Sequence, residues 1–142
     1  MILAIKTNDP TTEIILLDNF GKTVVKKTWE SGKSLSDELL TKIEQIIDAK
    51  WDDLSGLIVF SGPGSFTGLR IGITTMNTLA YSLEIPIVGT NGKNWISDGL
   101  RYLLNETDKK ESLPSTFHPE GLNSAVVIPQ YGAEPNISTP KK

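Results

Sequence analysis

The segment between residues 54 and 72 constrains the fold more than any other part of the sequence. Its first half is a nearly continuous apolar run, Gly-Leu-Ile-Val-Phe at 56–60, which ends at Gly62-Pro63-Gly64. Such a run is typical of a strand that is buried on both faces, as in a parallel sheet. From Thr67 to Leu83 the apolar residues recur at helical spacing. The sequence therefore predicts a buried strand, a glycine-rich turn and a helix in direct succession.

The remaining elements before residue 90 predict a mixed sheet. Short apolar runs separated by turn residues indicate strands, and one longer stripe at helical spacing, capped by Ser34 or Ser36, indicates a helix. The order β-β-β-α-β-α-β is typical of an α/β fold that starts antiparallel and continues parallel, with the strand at 57–60 expected at its centre. These further predicted elements are strands at 2–7, 13–18, 22–29 and 85–89 and a helix at 34–49.

Composition excludes several classes of function. The chain of 142 residues has no cysteine and one histidine, His118, which excludes disulfide frameworks, thiol catalysis and metal sites built from thiolates or several histidines. A net charge of −3 argues against a protein whose main activity is electrostatic binding of nucleic acid. No stretch approaches the roughly 20 apolar residues of a membrane helix, and no signal-peptide pattern is present, so we expect a cytoplasmic protein that contacts no membrane.

The pattern changes after residue 104. A third amphipathic helix is predicted at 94–104, whereas residues 105–124 are polar and indicate a linker or loop. Residues 125–142 begin with a short apolar run, predicted to be a strand, and continue as a proline-containing extended tail. We therefore expect one lobe at 1–104, followed by these two segments.

The glycine-rich turn allows two interpretations. Its N–H groups, at the positive end of a helix dipole, could cradle an anion, with Ser65 and Thr67 as capping hydroxyls and Arg70 one turn further on. Alternatively, its glycines only permit a tight turn and close packing. The lysine of a Walker A loop and the spacing of a dinucleotide-binding fingerprint are absent, and spacing alone does not decide between the two interpretations.

The same segment resembles a known signature. The string Ser-Gly-Pro-Gly-Ser-Phe-Thr-Gly-Leu-Arg-Ile-Gly at 61–72 is similar to that of the TsaB family, also called YeaZ, and the segments at 2–7, 36–40 and 85–89 resemble the family's corresponding segments. The resemblance implies an α/β fold, the N-terminal lobe of the actin-like ATPase (ASKHA, RNase H-like) superfamily. The signature-loop residues are Ser61, Gly62, Pro63, Gly64, Ser65, Phe66, Thr67, Gly68, Arg70 and Gly72.

The resemblance also implies a role without catalysis. Members of the TsaB family pair with a catalytic paralogue, TsaD, and with the ATPase TsaE, in a complex that transfers a threonylcarbamoyl group to N6 of adenosine 37 in tRNA. We therefore expect an accessory subunit that activates a TsaD-like partner, contacts tRNA only indirectly, and has no catalytic residue and no metal site. ATP and Mg²⁺ are expected only at the level of the complex. A homodimer is an alternative assembly.

Three departures from the family pattern argue against catalysis in this chain. Lys6 stands where the family usually has an aspartate, and Leu35 stands where a histidine usually precedes the serine of the first helix. About fifty residues follow Gly89, so the second lobe of the family is expected to be absent or reduced. The alternative function is a small nucleotide- or phosphate-binding enzyme that uses the loop from Ser61 to Arg70.

The resemblance assigns the partner surface to the two helices of the lobe. The stripe of the helix at 34–49 is wider than packing on one sheet requires, and the helix at 67–83 is rich in small residues that permit close approach. The alternative is that both stripes only pack internally. The residues assigned to partner binding are Leu35, Leu39, Leu40, Ile43, Ile47, Ile73, Met76 and Asn77.

Overall fold

The computed structural model describes residues 1–7, 10–64, 66–104, 116–117 and 126–129. Within these ranges, seven strands and three α-helices follow one another, with short 3₁₀ turns before α1 and before β4. None of these helices is long and apolar enough to span a bilayer. The elements are β1 (Ile2–Lys6), β2 (Thr11–Leu17), β3 (Thr23–Glu30), α1 (Leu35–Ile46), β4 (Gly56–Phe60), α2 (Phe66–Leu83), β5 (Ile87–Thr90), α3 (Trp95–Leu104), β6 (Thr116–Phe117) and β7 (Val126–Val127).

A five-stranded mixed sheet forms the centre of the fold, in the order β3-β2-β1-β4-β5. The pairs β1–β2 and β2–β3 are antiparallel, and the pairs β1–β4 and β4–β5 are parallel. This arrangement confirms the predicted antiparallel start and parallel continuation. The predicted central position of β4 is wrong, because the centre belongs to β1. Hairpin connections add β2 and β3 on one side of β1, and crossovers add β4 and β5 on the other.

The two faces of the sheet are covered by different helices. Ile58 of β4 lies against Gly99 of α3, whereas Thr7, which follows β1, bonds to α2. In the register of the sheet, Ala4 lies opposite Ile58, and side chains alternate along a strand, so these two contacts are on opposite faces. Helix α1 packs beside α2. Every residue of β4 is buried, as its continuous apolar run predicts.

Helix α1 differs from the prediction at both ends. It stops at Ile46 because Asp48 and Ala49 both adopt a positive φ of 57°, and the N–H of Ala49 turns back to the carbonyl oxygen of Glu44. Ser34 occupies the N-cap position, but its hydroxyl makes no cap bond and donates instead to the carbonyl oxygen of Ser31 at 2.7 Å.

Strands β6 and β7 form a second, two-stranded antiparallel sheet. β6 lies within the segment predicted as a linker, which corrects that prediction at residues 116–117. β7 lies within the predicted apolar run at 125–128 and packs against β5 and α2. The other residues of the predicted linker and the tail from residue 130 lie outside the described residues.

Candidate functional site

The first half of the glycine-rich turn lies at the carboxyl edge of the parallel strands. Ser61, which follows β4, is buried, and its N–H and Oγ both donate to the carbonyl oxygen of Thr90, at 2.8 and 3.0 Å. Gly62 is buried with a φ of +130°, a conformation that L side chains rarely adopt. The Gly62–Pro63 peptide bond is cis. This half of the turn is therefore fixed to the end of β5.

The second half of the turn leads into α2. Ser65, predicted as a capping residue, lies outside the described residues. Thr67 is the second residue of α2, which places it inside the helix and corrects its predicted role as the cap. Arg70 is exposed on the first turns of α2 and forms no ion pair with the described residues.

One signature glycine, Gly72, allows α2 to pack closely on the end of β1. Thr7 is fully buried, and its Oγ1 donates to the carbonyl oxygen of Gly68 at 2.7 Å. A Cβ on Gly72 would overlap Oγ1 of Thr7 and would lie 2.9 Å from its Cγ2. Because Thr7 is enclosed by the core, α2 can lie this close only if residue 72 has no side chain. The packing interpretation of the glycines therefore holds at Gly72.

A cation and two aromatic rings occupy the same edge on the face covered by α3. The Nζ of Lys6, the last residue of β1, lies 4.7 Å from the centroid of the Phe60 ring. The ring of Phe60 meets that of Trp95 edge to face, with centroids 5.8 Å apart. The Oγ1 of Thr90 donates to the carbonyl oxygen of Trp95 at 2.7 Å and so fixes the start of α3. The Lys6 ammonium is attracted to the negative face of Phe60.

The magnesium-nucleotide site implied by the superfamily does not fit these residues. Mg²⁺ is bound by oxygen ligands, usually carboxylates together with substrate phosphates, and the ammonium of Lys6 would repel it. In the described part of the chain, no group of three or more His, Asp or Glu side chains could hold a metal ion. The charge at this edge suits an anion better than a divalent cation.

Six of the eight residues assigned to a partner surface are core residues, which corrects the assignment at these positions. Helix α1 packs on the sheet and on α2 at the same time, so its wide apolar stripe is consumed by contacts in two directions. Leu40 is the exception on α1, with 52% of its surface exposed. The six, each at most 6% exposed, are Leu35, Leu39, Ile43, Ile47, Ile73 and Met76.

Asn77, the eighth assigned residue, attaches β7 to α2. Its Nδ2 donates to the carbonyl oxygen of Val127 at 3.0 Å, and the N–H of Val127 donates to its Oδ1 at 2.9 Å. The amide thus satisfies both backbone polar groups of one residue, as a neighbouring strand would. Val127 itself is 2% exposed. The side chain of Asn77 is therefore engaged within the chain.

Sequence reasoning missed Thr7 and Thr90 as residues that fix the turn. Each ends or directly follows an apolar strand, and each carries a hydroxyl that bonds to the backbone of another element. Their position was the available signal, because the carboxyl ends of parallel strands meet at one edge of a sheet. The hydroxyl of Thr7 bonds to a residue 61 positions later, and local sequence patterns do not contain such a contact.

Comparisons with known proteins agree on one biosynthetic process. The family model of TsaD, tRNA N6-adenosine threonylcarbamoyltransferase, matches residues 30–109, more than half of the chain. The tRNA threonylcarbamoyladenosine biosynthesis protein TsaB of Bacillus subtilis is 36% identical over 110 residues, which cover 70% of this chain and 47% of that protein. A tRNA N6-adenosine threonylcarbamoyltransferase of Geotalea daltonii is 34% identical over 85 residues, or 60% of this chain and 23% of that protein.

A solved structure shows the same fold. YeaZ from Pseudomonas aeruginosa matches with a TM-score of 0.56 at 24% identity, over 63% of this chain and 42% of that one. This likeness confirms the predicted α/β fold. The chain spans less than half the length of each of these relatives.

Proposed function

Because the chain belongs to the TsaD family of tRNA N6-adenosine threonylcarbamoyltransferases and has TsaB among its relatives, we propose that it is a non-catalytic accessory subunit in the formation of N6-threonylcarbamoyladenosine on tRNA. Its role is to bind a TsaD-like catalytic protein and to shift that protein toward its active arrangement. A TsaE-like ATPase and tRNA belong to the same assembly, and ATP with Mg²⁺ acts there and not in this chain.

The observation that carries the non-catalytic part of the proposal is the position of Lys6. In the superfamily, a carboxylate at the end of this strand helps to handle nucleotide phosphate and metal. Here the strand ends in an ammonium that lies over Phe60. The nearby glycine at 72 is accounted for by the contact with Thr7. These features support a fold that keeps the family's architecture without its metal chemistry.

The proposed partner contact uses the exposed sides of α1 and α2. Leu40 on α1 is 52% exposed and Tyr81 on α2 is 66% exposed. Both are large side chains that face water. Exposed apolar and aromatic side chains of this kind are enriched at protein–protein interfaces. Thr74 and Thr78 are exposed residues of α2 whose small side chains permit another helix to approach.

Co-purification with the TsaD-like protein of the same organism, followed by size-exclusion chromatography with light scattering, tests the proposal. We expect a heteromer with the wild-type chain, and binding at least about tenfold weaker for Leu40→Asp, since a buried interface does not tolerate an unpaired carboxylate. Leu104→Asp is the matched control, because Leu104 is 50% exposed but lies on α3, on the opposite face of the sheet. Absence of a complex with the wild type contradicts the proposal.

The alternative of a small nucleotide- or phosphate-binding enzyme rests on the exposed Arg70 and on the charge of Lys6 beside the glycine-rich turn. Titration calorimetry of the isolated chain with ATP and Mg²⁺ separates the two functions. The accessory role predicts no turnover of ATP by the chain alone. Tight binding accompanied by hydrolysis would favour the enzyme.

A further inference from the structure

Residues 126–129, named the strap from here on, lie along the side of α2 that carries Asn77. The strap includes β7, which packs against β5 and α2. The Asn77 side chain donates one hydrogen bond to the backbone of Val127 and accepts another from it, fifty positions further along the chain. A single side chain on α2 therefore holds a segment that is distant in sequence.

The strap is attached to the lobe through one short strand, whose Val127 packs in the hydrophobic core. β7 has two residues and, among the described residues, pairs with the equally short β6 outside the five-stranded sheet. Val127 is 2% exposed, but the next residue, Ile128, is 48% exposed. Two-stranded pairs of this length are not stable by themselves, and segments with few buried contacts open at low free energy. We therefore expect that the strap can leave α2 without unfolding of the lobe.

The strap borders the partner surface described above. Thr74 and Tyr81 lie three and four residues from Asn77 along α2, so the three side chains share one side of the helix. Tyr81 is exposed and belongs to the proposed contact, whereas Asn77 is covered by the strap. A partner that contacts Tyr81 and extends along this side of α2 toward Asn77 therefore reaches the strap.

We propose that the strap is a displaceable cover, which occupies the Asn77 side of α2 in the free chain and is released when the TsaD-like partner binds. This inference rests on the proposed function. The occupant that replaces the strap is an extended segment of the partner with a branched aliphatic side chain, because Val127 and its backbone show what this side of α2 accepts.

The cover lowers the apparent affinity for the partner. When only chains with a released strap bind the partner, the apparent Kd is the intrinsic Kd divided by the fraction of those chains. A strap that is closed in about nine chains of ten therefore weakens binding about tenfold, and its removal restores that factor.

Two properties of matched variants test the proposal in the full chain. Val127→Asp places a carboxylate where the side chain is buried, and Ile128→Asp places the same group one residue away at an exposed position. Hydrogen exchange of the residue 127 N–H reports opening of the strap, and a titration with the purified TsaD-like protein reports affinity. We expect faster exchange and about tenfold tighter binding for Val127→Asp, and changes under twofold for Ile128→Asp.

A second variant guards against misfolding. Asn77→Asp keeps the acceptor for the Val127 N–H and loses the donor to its carbonyl oxygen, so exchange and affinity should rise by less than in Val127→Asp. Equal or weaker binding by a folded Val127→Asp variant, beside normal binding by the wild type, overturns the strap proposal alone. Failure of every variant and of the wild type to bind overturns the accessory role and the strap proposal with it.

Discussion

Helix α2 is joined to distant parts of the chain by two contacts of opposite character. At Gly72 its backbone lies directly on the fully buried Thr7, and no space remains for a side chain. At Asn77 it is joined to Val127 by two hydrogen bonds beside exposed residues. Water cannot replace packing contacts that are lost in the core, whereas water or another backbone can replace hydrogen bonds at a surface. Under the strap proposal, one side of α2 is therefore fixed and the other can exchange partners.

The largest effect is expected at the fixed side. Gly72→Val forces an isopropyl group into the space of Thr7 and should lower the free energy of unfolding by about 3 kcal/mol or more. Thr74→Val places the same side chain on the exposed side of the same helix and should change stability by under about 0.5 kcal/mol. Urea unfolding followed by circular dichroism measures both.

A double variant checks the cause of this loss. Gly72→Ala alone meets Thr7, whereas Gly72→Ala combined with Thr7→Ala removes the overlapping Oγ1 and Cγ2 atoms. The double variant should recover part of the stability that the single Gly72→Ala variant loses. Strict additivity of the two substitutions would show that Thr7 does not limit residue 72.

The next effect separates the core of α1 from its surface. Leu39→Ala empties a position that is 1% exposed and should cost about 2–3 kcal/mol. Leu40→Ala, at the neighbouring exposed position, should cost under about 0.5 kcal/mol. Thermal unfolding distinguishes the two. Similar losses would mean that the burial assigned to this stripe is incorrect.

A smaller effect is expected at the strap side. Asn77→Ala removes two partly buried hydrogen bonds, each with a net contribution of about 1 kcal/mol. The loss should appear as faster exchange of the Val127 N–H, with little change in the denaturant midpoint of the lobe, because the strap opens separately. A drop in that midpoint as large as for Leu39→Ala would show that the strap is an integral part of the core.

The smallest effect is expected at a contact outside α2, in the exposed turn between β2 and β3. The N–H of Lys22, with that of Phe20, donates to the Asp18 carboxylate and holds its pKa below the ordinary value of 3.8. A depressed pKa contributes stability that is present above pH 3.8 and lost as the pH falls through the lowered value. Asp18→Asn should reduce the slope of stability against pH in this acid range. An unchanged slope would contradict the assignment.

The strands and helices follow from local patterns, and their contacts do not. The apolar run at 56–60 predicted a strand buried on both faces, and the structure confirms it. The wide apolar stripe of α1 predicts a partner surface, because one sequence does not show that α1 packs on the sheet and on α2 together. Leu39 and Leu40 are neighbours of the same type, and only the position of α2 and the sheet decides which of them is exposed.

The glycine-rich turn shows the same limit. Its sequence predicted a turn between a strand and a helix, but it could not distinguish an anion cradle from close packing. The deciding residue for Gly72 is Thr7, 65 positions earlier, and the contact of Asn77 is 50 positions later. The order of strands in the sheet places β1 under α2, whereas β7 packs against α2 from outside that sheet.

Reconstitution of tRNA modification tests the central claim most directly. Transfer RNA is incubated with threonylcarbamoyl-adenylate and the TsaD-like protein, with and without this chain, and N6-threonylcarbamoyladenosine is measured by mass spectrometry of the digested nucleosides. The accessory role predicts no product from this chain alone and a clear increase when it is added to the TsaD-like protein. Product formed by this chain alone, or an unchanged yield when it is added, would contradict the account.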